Sequence, residues 1–275
     1  MSLLGSTGKS GSFFFYSQDN KYLIKAIPQR EYKSFKRILE NYYFHLKAHK
    51  NSLITRIYGL HKIHFYKHSK FKKTLYICVM ENILANFDKN TVLYDLKGST
   101  YKRSIEEEEK SSAPFKDNDF LKNNDKIVIN KNKKMEILDI IKFDVDFLKK
   151  NGLIDYSLLI AIPKKYNPSM QSNLSNISKI FDPDERNDKE YTRILDDCGY
   201  RIGIIDFLTR FTCSKRVEYL SKRFVCGRGV SCIPPNYYGN RFYDFVSRNV
   251  FIVNNMQNFN KKKFIFARSS ILNNS

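Results

Sequence analysis

Two short apolar segments, each interrupted by one aspartate, stand out in the pattern of hydrophobic and polar positions. G-L-I-D-Y-S-L-L-I-A-I-P covers residues 152–163 and contains Asp155, whereas I-G-I-I-D-F-L covers residues 202–208 and contains Asp206. Runs of this length are too short to cross a membrane and are typical of buried strands or of the turns that lead into them. Because a buried carboxylate is costly unless it is compensated, we expect the two aspartates to share a polar site inside a core. The alternative is that each aspartate caps a turn or pairs with a basic residue.

The N-terminal part of the chain predicts an antiparallel sheet that carries one helix. Two β-prone runs, residues 13–17 and 22–27, are separated by a turn sequence and predict a hairpin. Apolar residues then recur at the helical spacing over about residues 30–49, which predicts an amphipathic helix. Residues 52–66 and 73–81 predict further strands that complete the sheet.

The rest of the chain predicts a second region of helices and short strands. Residues 81–86 are interpreted as the connection between the two regions. A helix is predicted from about residue 135 to residue 150, ending at Gly152 just before the first of the two aspartate segments. A further helix is predicted after Pro234-Pro235, because aromatic residues follow at helical spacing.

The charge of the chain indicates an anionic partner. With 275 residues it is long enough for a sizeable core, and its formal net charge is +20. Such a charge favours nucleic acid, a membrane surface or a phosphorylated substrate as the partner, and charge alone does not choose among them.

The five cysteines lack a C-x-x-C pair, which favours reduced thiols in the cytosol or nucleus. No stretch is long and apolar enough to span a bilayer, so any membrane contact is expected to be peripheral.

A glycine-rich segment and a strand lysine form a candidate nucleotide site. The segment G-K-S-G-S consists of Gly8, Lys9, Ser10, Gly11 and Ser12. It lacks the upstream glycine of a Walker A motif, but a glycine-rich turn at the mouth of a hairpin can place backbone N–H groups over phosphates, as in protein kinases. The alternative is a flexible loop that needs glycine only for its turns.

Lys25 ends the second predicted strand in Y-L-I-K, as the lysine does in V-A-I-K of protein kinases. Glu31, in the first turn of the following helix, could pair with Lys25 and hold it against nucleotide phosphates, with Glu40 as a second candidate partner. An ordinary surface salt bridge is the alternative interpretation.

The segment from Arg201 to Phe224 mixes basic residues with aromatic and aliphatic ones. This mixture suits an anionic lipid surface, although it would also suit nucleic acid. The basic residues are Arg201, Arg210, Lys215, Arg216, Lys222 and Arg223.

These features occur in an order that resembles the phosphatidylinositol-phosphate kinases. The chain has no H-R-D, D-F-G or A-P-E motif, which disfavours a protein kinase. The segments that carry the resemblance are G-K-S-G-S at 8–12, I-K at 24–25, D-L-K-G-S-T-Y-K-R at 95–103, F-K-D-N-D-F-L at 115–121, I-D-Y-S-L-L at 154–159, G-I-I-D at 203–206 and R-F-Y-D-F at 241–245.

The resemblance implies an α+β, two-lobed, kinase-like fold of the phosphatidylinositol-phosphate kinase and SAICAR synthase type. It implies antiparallel sheets and an ATP cleft between an ATP-binding lobe, residues 1–86, and a catalytic lobe, residues 87–275. The catalytic lobe would include an activation or specificity loop at residues 207–233. ATP and Mg²⁺ are the implied cofactors.

Roles for individual residues also follow from the resemblance. Lys25 resembles the lysine that binds the ATP phosphates, and Gly8 to Ser12 resemble the phosphate loop. Asp155 is similar to the aspartate that orients or deprotonates the inositol hydroxyl group, and Asp206 to the aspartate that binds the metal ion. The adenine pocket would be lined by Met80, Glu81, Asn82 and Ile83.

The expected substrate is phosphatidylinositol 4-phosphate, phosphorylated at position 5. Glu218 stands where the resemblance places glutamate in 5-kinases and alanine in 4-kinases. Lys97 and the loop residues Lys215, Arg216, Glu218, Lys222 and Arg223 are the expected contacts to substrate and membrane. The alternatives are a phosphatidylinositol 5-phosphate 4-kinase and a non-catalytic, phosphoinositide-binding pseudokinase. We expect a cytoplasmic protein that binds peripherally to the cytosolic face of membranes, above all the plasma membrane. No nucleic-acid partner is expected, and the sequence leaves open whether the protein forms a homodimer.

Overall fold

The computed structural model describes residues 13–67, 70–85, 91–105, 113–163, 200–212 and 233–253. The elements in these ranges are, in chain order, β1 (Phe14–Tyr16), β2 (Tyr22–Ile27), α1 (Gln29–Ala48), β3 (Ile57–Lys67), β4 (Lys70–Glu81), β5 (Thr91–Leu96), α2 (Asp117–Asn123), β6 (Ile127–Ile129), α3 (Lys131–Lys150), β7 (Leu153–Ile154), β8 (Ser157–Pro163), β9 (Arg201–Ile205), β10 (Thr209–Arg210), α4 (Pro235–Asn249) and β11 (Phe251–Val253).

The first sheet confirms the antiparallel arrangement predicted for the N-terminal part. Its strand order is β1-β2-β4-β3, and every neighbouring pair is antiparallel. Helix α1 agrees with the predicted helix to within one residue at each end. Its apolar stripe is buried through Phe35, Ile38 and Tyr42, and its Tyr32 ring lies 4.8 Å from the ring of Tyr76 on β4.

Strand β3 begins five residues later than the prediction of 52–66, because the preceding residues pair with the second sheet instead. The backbone N–H of Thr55 donates to the carbonyl of Ile204 at 3.0 Å. The N–H of Ile204 in turn donates to the carbonyl of Leu53 at 2.7 Å. This short pairing joins the first sheet directly to strand β9.

The second sheet is three-stranded and antiparallel, in the order β5-β8-β9. Strand β8 lies in its centre, and its first five residues are buried, which explains the continuous apolar run in the sequence. No strand was predicted for residues 91–96, which form β5. Two-stranded pairs, β10-β7 and β11-β6, complete the region.

Helices α3 and α4 pack against each other, and each buries an apolar face, with Val145 and Leu148 on α3 and Phe242 and Val246 on α4. Helix α3 starts four residues earlier than predicted, because the Asn130 side chain accepts a hydrogen bond from the N–H of Lys133 at 2.8 Å and caps the helix. Helix α4 begins at Pro235, as the Pro-Pro signal indicated. No helix within the described ranges is long and apolar enough to cross a membrane.

A fully buried carboxylate, that of Asp144 on α3, connects the two regions. It accepts hydrogen bonds from the Ser52 hydroxyl and the Leu53 backbone N–H, both at 2.7 Å. The ring of His45 on α1 lies within 2.7 Å of the same carboxylate. Because these three partners lie on the N-terminal side of the molecule, the network fixes α1 and the segment before β3 against α3.

Candidate active site

A cavity of about 530 Å³ lies between the first sheet and the turns that carry the two aspartates. Residues of β2, α1 and β4 form one side, and the segments around Lys97, Asp155 and Asp206 form the other. Six residues selected from the sequence line this cavity: Lys25, Glu31, Met80, Lys97, Asp155 and Asp206. The structure therefore brings together residues that are up to 181 positions apart in the chain.

Asp155 and Asp206 line one cavity, as expected of a shared polar site, but their side chains do not lie inside the core. Asp155 sits between β7 and β8 and Asp206 directly follows β9, and both adopt left-handed backbone conformations, with φ of 68° and 58°. Aspartate tolerates this conformation better than most residues. The reversal turns each side chain out of the apolar layer that its neighbours fill, so 43% of the Asp155 side chain and 47% of the Asp206 side chain are exposed, toward the cavity.

Each aspartate is paired with a lysine. The Lys25 Nζ lies 2.6 Å from an Asp206 carboxylate oxygen, and the Lys97 Nζ lies 2.8 Å from an Asp155 carboxylate oxygen. The prediction that Lys25 pairs with Glu31 is therefore wrong. These two residues, both within the described ranges, form no ion pair, because the lysine reaches across the cavity to Asp206 instead. Glu40 is likewise not the partner.

The electrostatics of the first pair favour its charged form. Burial acts to lower the pKa of Lys25, but the charge and hydrogen bond of Asp206, with a further contribution from Glu31, hold that pKa above its ordinary value. The partial burial of Asp206 would raise its pKa, yet the nearby charges of Lys25 and Lys97 keep that pKa below its ordinary value. The cavity therefore holds an ionised carboxylate and an ionised ammonium group side by side.

Glu31 has a different electrostatic environment. Burial raises the pKa of its carboxyl group, and the negative charges of Asp206 and Asp155 raise it further, against the opposing attraction of Lys25. Glu31 thus acts on Lys25 through its charge rather than through a direct contact.

Lys97 is positioned by a carboxylate that the sequence analysis did not single out. Asp117, at the start of α2, is completely buried and accepts hydrogen bonds from the backbone N–H groups of Lys97 at 3.0 Å and Gly98 at 2.6 Å. The Nε of Arg103 donates to the same carboxylate at 2.6 Å. Arg103 also donates to the carboxylate of Asp95 at 2.9 Å. These contacts fold residues 95–103 around one buried charge and direct Lys97 toward Asp155.

Gly98 is required where the loop after β5 meets α4. Its φ is +68°, and a Cβ added there would lie 3.0 Å from the backbone oxygen of Arg241 and 3.1 Å from the Cα of Phe242. Asp117 and Gly98 were present in the motifs F-K-D-N-D-F-L and D-L-K-G-S-T-Y-K-R, but only their spatial neighbours reveal what they do.

The segment predicted to line an adenine pocket lies at the end of β4. Of its four residues, Met80 lines the cavity. Glu81 accepts a hydrogen bond from the Arg56 backbone at 3.2 Å, and the amide of Asn82 donates to the carbonyl of Asn20 at 2.7 Å. Ile83 is buried. Their predicted role in binding the cofactor stays a prediction.

Several predicted site residues lie outside the described ranges. They are Gly8, Lys9, Ser10, Gly11 and Ser12 of the glycine-rich segment, and Lys215, Arg216, Glu218, Lys222 and Arg223 of the loop at residues 207–233.

The donor groups in the cavity fit the requirements of Mg²⁺. Within the ranges that the structure describes, no group of three or more His, Cys, Asp or Glu side chains is arranged to hold a metal ion. Mg²⁺, however, is usually held by one or two carboxylates together with water and the phosphate oxygens of a substrate. Asp206, ionised and open to the cavity, could supply one such ligand, and Asp155 lines the same space.

Comparison with known proteins agrees with the resemblance seen in the sequence. The family model for phosphatidylinositol-4-phosphate 5-kinase matches residues 1–194 and 182–249. A phosphatidylinositol 4-phosphate 5-kinase of Plasmodium falciparum is 32% identical over 91% of the chain, and the matched part is 16% of that protein. The kinase its3 of Schizosaccharomyces pombe, with the same activity in its name, is 29% identical over 91% of the chain and 42% of its own length.

A phosphatidylinositol 5-phosphate 4-kinase type-2 alpha of Gallus gallus is 28% identical over 88% of the chain and 68% of its own length. Proteins named for both reactions are thus similar to this chain, and the chain spans less than half the length of the two relatives named for the 5-kinase reaction.

Proposed function

Because the chain belongs to the phosphatidylinositol-4-phosphate 5-kinase family, we propose that it is an ATP-dependent lipid kinase that phosphorylates phosphatidylinositol 4-phosphate at position 5 of the inositol ring. The product would be phosphatidylinositol 4,5-bisphosphate. The observation that carries this proposal is the pair of lysine–aspartate contacts, Lys25 with Asp206 and Lys97 with Asp155, on one cavity. Phosphoryl transfer needs cations at the phosphate oxygens and an acid near the attacking hydroxyl group, and this cavity offers both.

The first pair would serve the nucleotide. When bound, ATP with Mg²⁺ supplies the phosphoryl group and neutralises the charge that develops on its oxygens. Lys25 would hold the phosphates by its ammonium group, and Asp206 would give its carboxylate to the metal ion. The raised pKa of Lys25 and the lowered pKa of Asp206 support these roles, since both groups stay ionised at neutral pH.

The second pair would serve the lipid headgroup. Asp155 would accept the hydrogen bond, and then the proton, of the inositol hydroxyl group, while the hydroxyl oxygen bonds to the γ-phosphorus of ATP and the bond from that phosphorus to the departing ADP breaks. Lys97, next to Asp155 at 2.8 Å, would attract the phosphate already present on the ring.

The proposal includes the division into an ATP-binding lobe at residues 1–86 and a catalytic lobe at residues 87–275, with ATP between them. It also places the lipid-selecting contacts, among them Lys215, Arg216, Lys222 and Arg223, in the loop at residues 207–233. The protein would act as a peripheral protein at the cytosolic face of an anionic membrane, to which its formal net charge of +20 would attract it.

A phosphatidylinositol 5-phosphate 4-kinase is the second candidate, favoured by the 28% identity to the 4-kinase of Gallus gallus. The presence of Glu218 argues for the 5-kinase, because the resemblance associates alanine at that position with 4-kinases. A pseudokinase that binds phosphoinositides without phosphorylating them is the third.

A kinase assay with ATP and Mg²⁺ on separate vesicles of the 3-, 4- and 5-monophosphates, with the product isomer identified, tests the proposal. We expect the 4-phosphate to be preferred and the 4,5-bisphosphate to be formed. Asp206→Asn should lower the rate by at least about 100-fold, because metal binding contributes several kcal/mol to transition-state stabilisation. Vesicle binding should persist in that variant.

Each alternative gives a different result. A preference for the 5-phosphate would establish the 4-kinase, and vesicle binding without any product would establish the pseudokinase. Full activity of Asp206→Asn would remove the metal-binding role from that residue.

A further inference from the structure

Strands β3 and β4 extend well beyond the rest of the first sheet. Strand β2 pairs with β4 only between Tyr76 and Glu81, whereas β3 and β4 remain paired as far as Lys67 and Lys70. Residues 61–66 and 70–75 therefore form a two-stranded projection, which we call the β3–β4 ribbon. At about 3.3 Å per residue it reaches roughly 20 Å past the end of β2.

The ribbon is exposed to an unusual degree for a segment so rich in apolar residues. All of residues 61–66 are exposed, and Ile63, Phe65 and Tyr66 keep 39%, 47% and 63% of their surface accessible. A two-stranded hairpin is only marginally stable in water when nothing packs on it. Among the described elements, α1 contacts β4 at the base of the ribbon, through Tyr32 and Tyr76. Exposed apolar residues on a projecting hairpin therefore call for a partner.

The charge of the ribbon narrows the choice of that partner. Residues 57–80 contain five lysines and three histidines and no acidic residue. Lys62, Lys70 and Lys73 are exposed, and Lys73 lies directly opposite Phe65 in the strand register. A second copy of the same ribbon would be repelled by this charge, so an anionic partner fits better than self-association.

We propose that the β3–β4 ribbon is a membrane-binding element that enters the headgroup region of an anionic bilayer. Phenylalanine and tyrosine side chains partition into the membrane interface, while lysines next to them meet anionic lipid headgroups. A bilayer surface satisfies both features of the ribbon, its apolar side chains and its uniformly positive charge. The inference deepens the proposed function, because it supplies a lipid kinase with a membrane contact outside the loop at residues 207–233.

The position of the ribbon makes its role separable from catalysis. Ile57 and Met80, at the base of the β3–β4 pair, line the cavity, while the far end lies about 30 Å away along the strands. Changes near the far end should therefore weaken membrane binding and leave the chemistry on a water-soluble substrate unchanged.

The test measures vesicle binding of the full chain by co-sedimentation at about 0.1 M salt, with about 20% phosphatidylserine in phosphatidylcholine and with phosphatidylcholine alone. The variant Lys62→Gln/Lys73→Gln removes two ribbon charges. Lys142→Gln/Lys150→Gln, at two exposed positions of α3, removes the same charge elsewhere. We expect the ribbon variant to bind anionic vesicles about 30-fold more weakly and the α3 variant to bind within about twofold of the wild type.

A second variant tests the apolar part of the ribbon. Phe65→Thr removes the aromatic ring but introduces a β-branched residue that suits a strand, and it should weaken binding even at high salt, whereas Phe44→Thr, at a 55%-exposed position of α1, should not. Activity on a short-chain, water-soluble phosphatidylinositol 4-phosphate should be the same for the wild type and all four variants.

The outcomes separate this inference from the proposed function. The inference would be overturned if Lys62→Gln/Lys73→Gln and Lys142→Gln/Lys150→Gln bound anionic vesicles equally well. It would also be overturned if Lys62→Gln/Lys73→Gln lost as much binding to neutral vesicles as to anionic ones. Unchanged vesicle binding of Lys62→Gln/Lys73→Gln together with weaker binding to a single-stranded RNA oligonucleotide, measured at the same salt concentration, would overturn it as well, and so would loss of activity on the soluble substrate. An inactive wild-type protein would instead overturn the proposed function, and the vesicle measurements would still decide the role of the ribbon.

Discussion

Replacing Asp117 with alanine should destabilise the protein strongly, although this residue does not line the cavity. The Asp117 carboxylate is completely buried and accepts three hydrogen bonds, from the backbone N–H groups of Lys97 and Gly98 and from the Nε of Arg103. In Asp117→Ala all three donors lose this partner in a place that water does not readily reach. The guanidinium group of Arg103 keeps its contact with Asp95 at 2.9 Å, so its charge is not left wholly uncompensated.

The size of the effect follows from these contacts. Hydrogen bonds to a charged group contribute about 1.5–3 kcal/mol each, and removing one partner of a buried ion pair costs about 3–5 kcal/mol. These terms overlap, since the same carboxylate makes every contact, and the remaining Asp95 contact reduces the total. We therefore expect a loss of about 3–5 kcal/mol in the free energy of unfolding, a large part of the roughly 5–15 kcal/mol of a typical protein.

The measurement is the free energy of unfolding from denaturant titration, supported by the melting temperature, which should fall by roughly 6–10 °C. Asp146→Ala is the matched control. Asp146 pairs with Lys149 at 3.0 Å on the surface of α3, with 55% of its side chain exposed, so its replacement should cost less than about 1 kcal/mol.

A loss below about 1 kcal/mol in Asp117→Ala would refute the reasoning, because it would mean that the buried carboxylate contributes no more than a surface one. Within the folded fraction, the variant should also show a lower kcat, since Lys97 would no longer be directed toward Asp155. Unchanged kcat alongside the expected destabilisation would limit Asp117 to a role in stability.

Two further predictions concern the loop after β5 and the lysine–aspartate pair. Gly98→Ala should destabilise the protein by at least about 1 kcal/mol more than Gly152→Ala, because both positions have left-handed φ values but only at Gly98 would the Cβ press on the backbone of Arg241; equal unfolding free energies would contradict this. The contribution of the Lys25–Asp206 pair should be constant through neutral pH. It should be lost as pH falls through the Asp206 pKa, below the ordinary 3.8, or rises through the Lys25 pKa, above the ordinary 10.5. The measurement is the difference in unfolding free energy between the wild type and Lys25→Met as a function of pH. A difference that stays constant below pH 3.8 would contradict the prediction.

The elements that the sequence predicted well are those whose signal is local. Helix α1 has both a regular apolar stripe and a proline before its first residue, and its ends were predicted to within one residue. The β1–β2 hairpin was predicted from turn residues between two β-prone runs, which is also a local signal. The start of β3 was misplaced because its preceding residues pair with Ile204, about 150 positions away, and no local pattern reports that pairing.

The candidate site could be selected from the sequence but not assembled from it. Motif order and residue type identified Lys25, Asp155 and Asp206, and the structure brings them to one cavity. Their partners are set by the tertiary fold: Lys25 and Asp206 are 181 positions apart, and the nearer Glu31 was chosen by mistake because it is close in the chain. Asp117 shows the same limit, since a buried acid and an exposed one look alike until the surrounding N–H groups are known.

The partial exposure of Asp155 and Asp206, which was not expected from their apolar neighbours, shows how the site is built. The residues on either side of Asp155 and Asp206, such as Ile154, Tyr156 and Phe207, are almost completely buried and fix the backbone tightly. A left-handed residue at the one polar position then turns its carboxylate away from that layer and into the cavity. The apolar neighbours thus give each carboxylate a rigid base, while the backbone reversal leaves it open to the cavity. The proposed phosphoryl transfer would require this combination, because charges that are already held in place need no reorganisation during the reaction.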